Sequence, residues 1–191
     1  MEQINKPLSG GERGELLELA RGTIGAKLRG EEFFCDDTGF SEVLKEKRAC
    51  FVTLTVRGRL RGCIGHVLPV QALYKDVIEN AQAAAFEDPR FFPLDASELP
   101  DLEIEISVLS VPEPLQYHDT EELIHYLAAH KPGVILKKNR HQATFLPQVW
   151  EQIAQPEEFL SELCMKASLA PDEWKKEITI HIYYAEHFTQ S

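Results

Sequence analysis

Ala49-Cys50-Phe51-Val52-Thr53-Leu54-Thr55-Val56-Arg57-Gly58-Arg59-Leu60-Arg61-Gly62-Cys63-Ile64-Gly65 decides the fold class. Residues 49–56 are β-branched and apolar, Arg57-Gly58 supplies a two-residue turn, and residues 59–64 continue extended, so the stretch predicts a β-hairpin. Its second strand carries Leu60-Arg61-Gly62-Cys63-Ile64-Gly65, in which one thiol stands between two glycines with a guanidinium two positions upstream. That hexapeptide reads either as a reactive site or as a tight backbone crossing.

Working outward, residues 70–86 repeat Leu73, Val77, Ala81 and Ala84 or Ala85 at helical spacing until Pro89 ends the run. Residues 101–110 alternate Leu102, Ile104, Ile106 and Val108 with Glu103, Glu105 and Ser107, which predicts a strand with one buried and one acidic or wet face. Upstream, residues 11–28 predict an amphipathic helix weakened by Gly14, Gly22 and Gly25, and residues 30–40 a turn-rich segment anchored by Phe33, Phe34 and Phe40. Downstream, Asp119 and Glu122 form a capping box for a helix through Ala129. A second hairpin spans 134–145 around Asn139-Arg140, and helices start from Gln148 and from Pro156. Ile178, Ile180, Ile182 and Tyr184, alternating with Thr179, His181 and Tyr183, predict a last strand inside the main sheet. Hairpins and a terminal strand without repeated βαβ units give an α+β fold with a central, largely antiparallel sheet flanked by helices. A small lobe formed around residues 28–48 is allowed for within a single domain of 191 residues.

Composition narrows the functions. A chain that is 43% hydrophobic needs neither metal nor disulfide to fold. The four cysteines, Cys35, Cys50, Cys63 and Cys164, contain no C-x-x-C and fit reduced thiols in the cytoplasm. No stretch is apolar over the roughly 20 residues that span a bilayer, so no membrane association is expected. A net charge of −11 argues against general nucleic-acid binding, although Arg57, Arg59 and Arg61, and Lys137, Lys138 and Arg140, form local basic patches that fit a ligand contact or a protected strand edge. Neither G-x-G-x-x-G nor a P-loop is present, and seven histidines, among them His118, His125, His130 and His141, form no metal-binding spacing. No zinc site and no cofactor are expected.

Five separated blocks occur together: Leu60 to Gly65; Glu79-Asn80-Ala81 with Ala84-Ala85-Phe86-Glu87-Asp88-Pro89-Arg90-Phe91; Leu99 to Ser110; Ala143 to Trp150; and Phe159 to Cys164. In this order they resemble the AmmeMemoRadiSam system protein A family, the domain named after the AMME chromosomal region, over nearly the whole chain. The resemblance implies a central antiparallel sheet, surrounding helices and a smaller lobe bordering a cleft. It also implies a modification pathway shared with a Memo-like protein and a radical S-adenosylmethionine protein, the family's own biochemical role being unestablished.

The site residues follow from their chemistry. On a regular strand Arg59, Arg61 and Cys63 project to one face and Leu60 and Ile64 to the other, so that the arginines favour thiolate. In the bland reading Cys63 is a small apolar filler. Gly62 and Gly65 either open backbone N–H groups to an anion or bend the sheet. His66, directly after Gly65, acts as a base only if the chain turns it back towards Cys63, and is otherwise an exposed or hydrogen-bonded loop histidine. In Glu87-Asp88-Pro89-Arg90, Arg90 either clamps a carboxylate or phosphate or pins the loop, with Asp88 and Glu87 beside it. Glu103 and Glu105 suit acid-base work or plain solvation. Gln148 and Trp150 border the cleft or, for Trp150, fill the core. Three functions fit: a substrate-handling protein whose cleft binds an anionic small molecule or peptide at Arg61, Cys63 and Arg90; an enzyme with Cys63 as nucleophile; or an interaction scaffold.

Overall fold

The turn at Arg57 and Gly58 has positive φ at both residues, 51° and 72°, which matches the right-handed twist of the strands it joins. Strands β1 (Ala49–Val56) and β2 (Arg59–Gly65) pair antiparallel across it. The computed structural model describes residues 6–190. They fall into two units, the first ending at Val111 and resumed at Glu186, the second covering Pro112–Ala185.

In the first unit, elements numbered in chain order, β1 also pairs antiparallel with β3 (Leu102–Leu109). A strand from the end of the chain, β8 (Ala185–Thr189), completes the sheet order β2-β1-β3-β8. Helices α1 (Gly10–Leu28) and α3 (Leu73–Phe86) supply the apolar cover. Leu16, Ala20 and Ile24 of α1 and Leu73, Val77, Ala81 and Ala84 of α3 are buried with Val52, Leu54, Ile104, Ile106 and Val108 of the sheet. Ser9 caps α1 with the reciprocal Glu12 of a capping box. Gly22, a weak helix former, is where α1 admits the Phe33 ring, which a Cβ would meet. The segment 28–48, for which a small lobe is allowed, sends Val43 and Leu44 of the short α2 (Glu42–Lys45) into this core. Tyr74 of α3 donates to Asp37 at 2.6 Å.

The second unit has its own sheet, β4-β7-β5-β6, built from β4 (Glu113–Pro114), β5 (Gly133–Lys138), β6 (His141–Phe145) and β7 (Thr179–Tyr183). Helices α4 (Thr120–His130) and α5 (Pro156–Lys166) bury Leu123, Leu127, Phe159, Leu160 and Leu163 with Val134, Leu136 and Ile180. Trp150 belongs to this core, stacked on Phe159 at 3.8 Å and donating to the Pro132 carbonyl at 2.8 Å.

Three expectations change. The strand near 178–184 is interior to this second sheet rather than to the sheet that holds β1–β3, and the chain then adds β8 to the first, each sheet having its own apolar core. Its alternation slips at the end: Tyr183 is buried over Gly133 and Tyr184 is exposed. The residues from Pro147 to Glu151 form a 3-10 turn, with Pro147 in its first turn. The α4 capping box is half made, because Asp119 accepts the Glu122 N–H but the Glu122 carboxylate is taken by His118.

Candidate functional site

Cys63 stands on the sheet face away from the helices because β2 carries a bulge. Gly62 pairs with Leu54 and Leu60 with Thr55, leaving Arg61 as the extra residue. Cross-strand partners share a face, so Leu60 and Cys63 lie with Thr55 and Thr53, while Arg59 falls with Val56 and Gly62 with Leu54. The expected common face of Arg59, Arg61 and Cys63 does not exist. Regular alternation fails wherever one residue goes unpaired. The Thr53 hydroxyl donates to the Cys63 sulfur at 3.3 Å, and Thr53 pairs on its other side with Glu105. Further along this face Ser107 meets His187 Nδ1 at 2.8 Å.

The backbone of Cys63 is held from the sheet edge. Its N–H donates to Asp88 Oδ2 at 2.9 Å and its carbonyl accepts from Arg90 at 3.3 Å. Arg90 in turn grips Asp88 through two guanidinium bonds of 2.9 and 2.6 Å. Asp88 is buried, and the Arg90 guanidinium, then the Cys63 N–H, hold its carboxyl well below the usual carboxylate range. Arg90 remains 54% exposed, its guanidinium pushed up chiefly by Asp88. It is the arginine that the fold bonds to Cys63.

Arg61 is committed elsewhere. Two of its bonds go to Glu98 at 2.8 and 3.1 Å and two to the carbonyls of Phe92 and Pro93 at 2.8 and 3.2 Å. The glycines are joints: a Cβ on Gly62 would overlap the Ala84 carbonyl of α3, and one on Gly65 the Cys50 carbonyl and the Phe51 ring. Glu87 reaches Lys27 at 3.5 Å on the surface. Of the residues singled out in the sequence, the fold brings together Cys63, Asp88 and Arg90, and sets Arg61, Gly62, Gly65 and Glu87 to structural work. The other thiols are poor nucleophiles: burial pushes Cys50 and Cys164 up, and burial with Asp37 and Asp36 does the same to Cys35.

A second polar centre lies on the helix side, where His66 N–H bonds the Cys50 carbonyl at 3.0 Å. His66 Nδ1 meets Asp76 Oδ1 at 2.7 Å. Asp76, fully buried, also accepts from the Cys50 N–H at 2.9 Å, Asn80 at 3.0 Å and Gln71 at 3.1 Å. His66 thus faces away from Cys63 and has its own carboxylate partner. The sequence held one signal for this network: Asp76 and Asn80 fall inside the apolar stripe of α3, where unpaired polar groups are costly. Among the described residues no cluster of three or more His, Cys, Asp or Glu is placed to hold a metal ion, and no helix is long and apolar enough to cross a membrane.

Comparison with known proteins agrees with this architecture. A family model described as AMMECR1 matches residues 17–188. A protein of Methanothermobacter thermautotrophicus is 40% identical over 169 residues, covering 87% of each chain. One of Methanosarcina barkeri is 38% identical over 178 residues, 91% of this chain and 88% of its own. The crystal structure of an uncharacterised protein from Pyrococcus horikoshii superposes with a TM-score of 0.80 at 34% identity, over 93% of this chain and 90% of that one.

Proposed function

The chain belongs to the AMMECR1 family, and from that premise we propose that it is a substrate-handling component of a cytoplasmic modification pathway, acting with a Memo-like protein and a radical S-adenosylmethionine protein. Cys63 and Arg90 form its ligand-holding pair. The observation that carries this reading is the clamp: Asp88 and Arg90 fix the backbone of Cys63 from the sheet edge, and its half-buried sulfur lies on the face away from the helices, accepting from Thr53. A backbone held this way is pre-organised, so a ligand meets it with little ordering cost. The half-exposed guanidinium beside it suits a carboxylate or phosphate, on a small molecule or on a partner's peptide. Handling fits better than covalent catalysis, because a nucleophile needs a base within reach. His66, the histidine nearest Cys63 in sequence, is bound to Asp76 on the helix side.

The test is isothermal calorimetry of the purified chain against each partner, with wild type, Cys63→Ala and Arg90→Gln in parallel and pathway output as the second readout. Binding and output are expected to fall in both variants. Folded variants that bind and function like wild type would remove Cys63 and Arg90 from the site.

A further inference from the structure

The tip of the β1–β2 hairpin and the loop after α3 make a second surface that the ligand-holding pair does not use. A groove of about 530 Å³ is lined by Val56, Arg57, Arg59, Leu60, Arg61 and Glu98. Three guanidiniums line it in a chain whose net charge is −11. Arg57 is paired with Asp101 at 2.7 Å and Arg61 with Glu98 at 2.8 Å. Arg59 has no ion pair or side-chain hydrogen bond among the described residues. The local balance of three cations against two carboxylates leaves about one net positive charge, concentrated on Arg59.

Beside the groove stands Phe92, 90% exposed, and within it Leu60, 45% exposed. The backbone at Phe92 is held in place. Arg61 bonds the carbonyls on both sides of the Phe92–Pro93 link, Pro93 restricts the residue before it, and the Phe91 N–H bonds the Asp88 carbonyl at 3.1 Å. The Phe91 ring lies 6.0 Å from the Arg61 guanidinium and 5.4 Å from that of Arg90. An arginine-lined edge alone is explained as protection against strand pairing. Such protection does not account for a 90% exposed phenylalanine beside a half-exposed leucine, apolar area that a partner would bury. Aromatic anchors bordered by arginine are what protein-binding hot spots are made of.

We infer that this surface docks an acidic, extended segment of a partner protein. Its apolar side chains cover Phe92 and Leu60, and its carboxylates meet Arg59 and the outer side of Arg57. The occupant is a peptide rather than a nucleic acid because the patch joins one cation without an ion pair, Arg59, to exposed apolar side chains, Phe92 and Leu60, whereas a phosphate backbone is held by several clustered cations. β2 is an edge strand of its sheet; the Asp88–Arg90 clamp holds that edge at Cys63, so an extended segment would run along residues 59–61.

The experiment is selection of a random dodecapeptide display library on the full chain, followed by fluorescence anisotropy of the best synthetic peptide. Enriched sequences are expected to be net acidic with at least one large apolar residue. Binding should weaken about tenfold or more in Phe92→Ser and in Arg59→Glu, weaken with added salt, and remain unchanged in Cys63→Ser, which separates this surface from the ligand-holding pair. Both altered positions are exposed, and circular dichroism checks that the variants fold. Enrichment of neutral or basic peptides, no enrichment, equal binding by the variants, or displacement of the peptide by oligothymidylate would each overturn the inference.

Discussion

At the scale of single residues, Gly62 and Asp88 are the ones whose neighbours leave least freedom. Gly62→Ala drives a methyl into the Ala84 carbonyl, and because both partners are backbone, relief requires β2 or α3 to move. We expect a loss of about 2 to 3 kcal/mol in urea unfolding; wild-type stability would show that α3 retreats freely. For Asp88, the folded carboxyl sits below its unfolded value of about 3.9. Its ion pair with Arg90 therefore stabilises the fold at every pH above that value and is lost as pH falls toward the folded one. Stability should decline on acidification below about pH 4, and less steeply in Asp88→Asn; equal slopes would assign the acid sensitivity to other carboxylates. Cys63 was visible in the sequence as an odd thiol between glycines, but its cation was misread, because the bulge that parts it from Arg61 leaves no composition signal.

Elements were more legible than their partners. The β1–β2 hairpin could be read because a period of two and a turn pair are local, and the turn itself is testable. Gly58 has φ 72° with nothing within 4 Å of where a Cβ would be, so Gly58→Ala should cost about 1 kcal/mol through backbone conformation alone. A loss several times larger would mean that the turn makes packing contacts. Asp119→Ala should likewise cost about 1 kcal/mol by removing the α4 cap, read from the thermal midpoint. The division of strands between two sheets was not legible. β7 and β8 are separated by one residue, yet one pairs with β4 and β5 and the other with β3. Which distant strand a segment joins is settled by the cores it fills, and Ile180 and Phe188 look alike in sequence while belonging to different cores.

At the scale of the whole molecule, each core carries its own buried thiol, Cys50 in the first unit and Cys164 in the second. Alkylation in native buffer should label Cys63 and leave Cys50 and Cys164 untouched, and in rising urea Gly62→Ala should advance the labelling of Cys50 more than that of Cys164. Parallel advance of both would mean that the cores melt as one. The order in which these parts are made also matters. The first sheet lacks β8 until everything from Pro112 to Ala185 has left the ribosome. The second unit can close while the first still waits, with one side of β3 bare to the cell. For that interval of synthesis the nascent chain exposes an unpaired strand edge of the kind that chaperones shield and aggregates recruit, and the arrival of β8 ends the hazard.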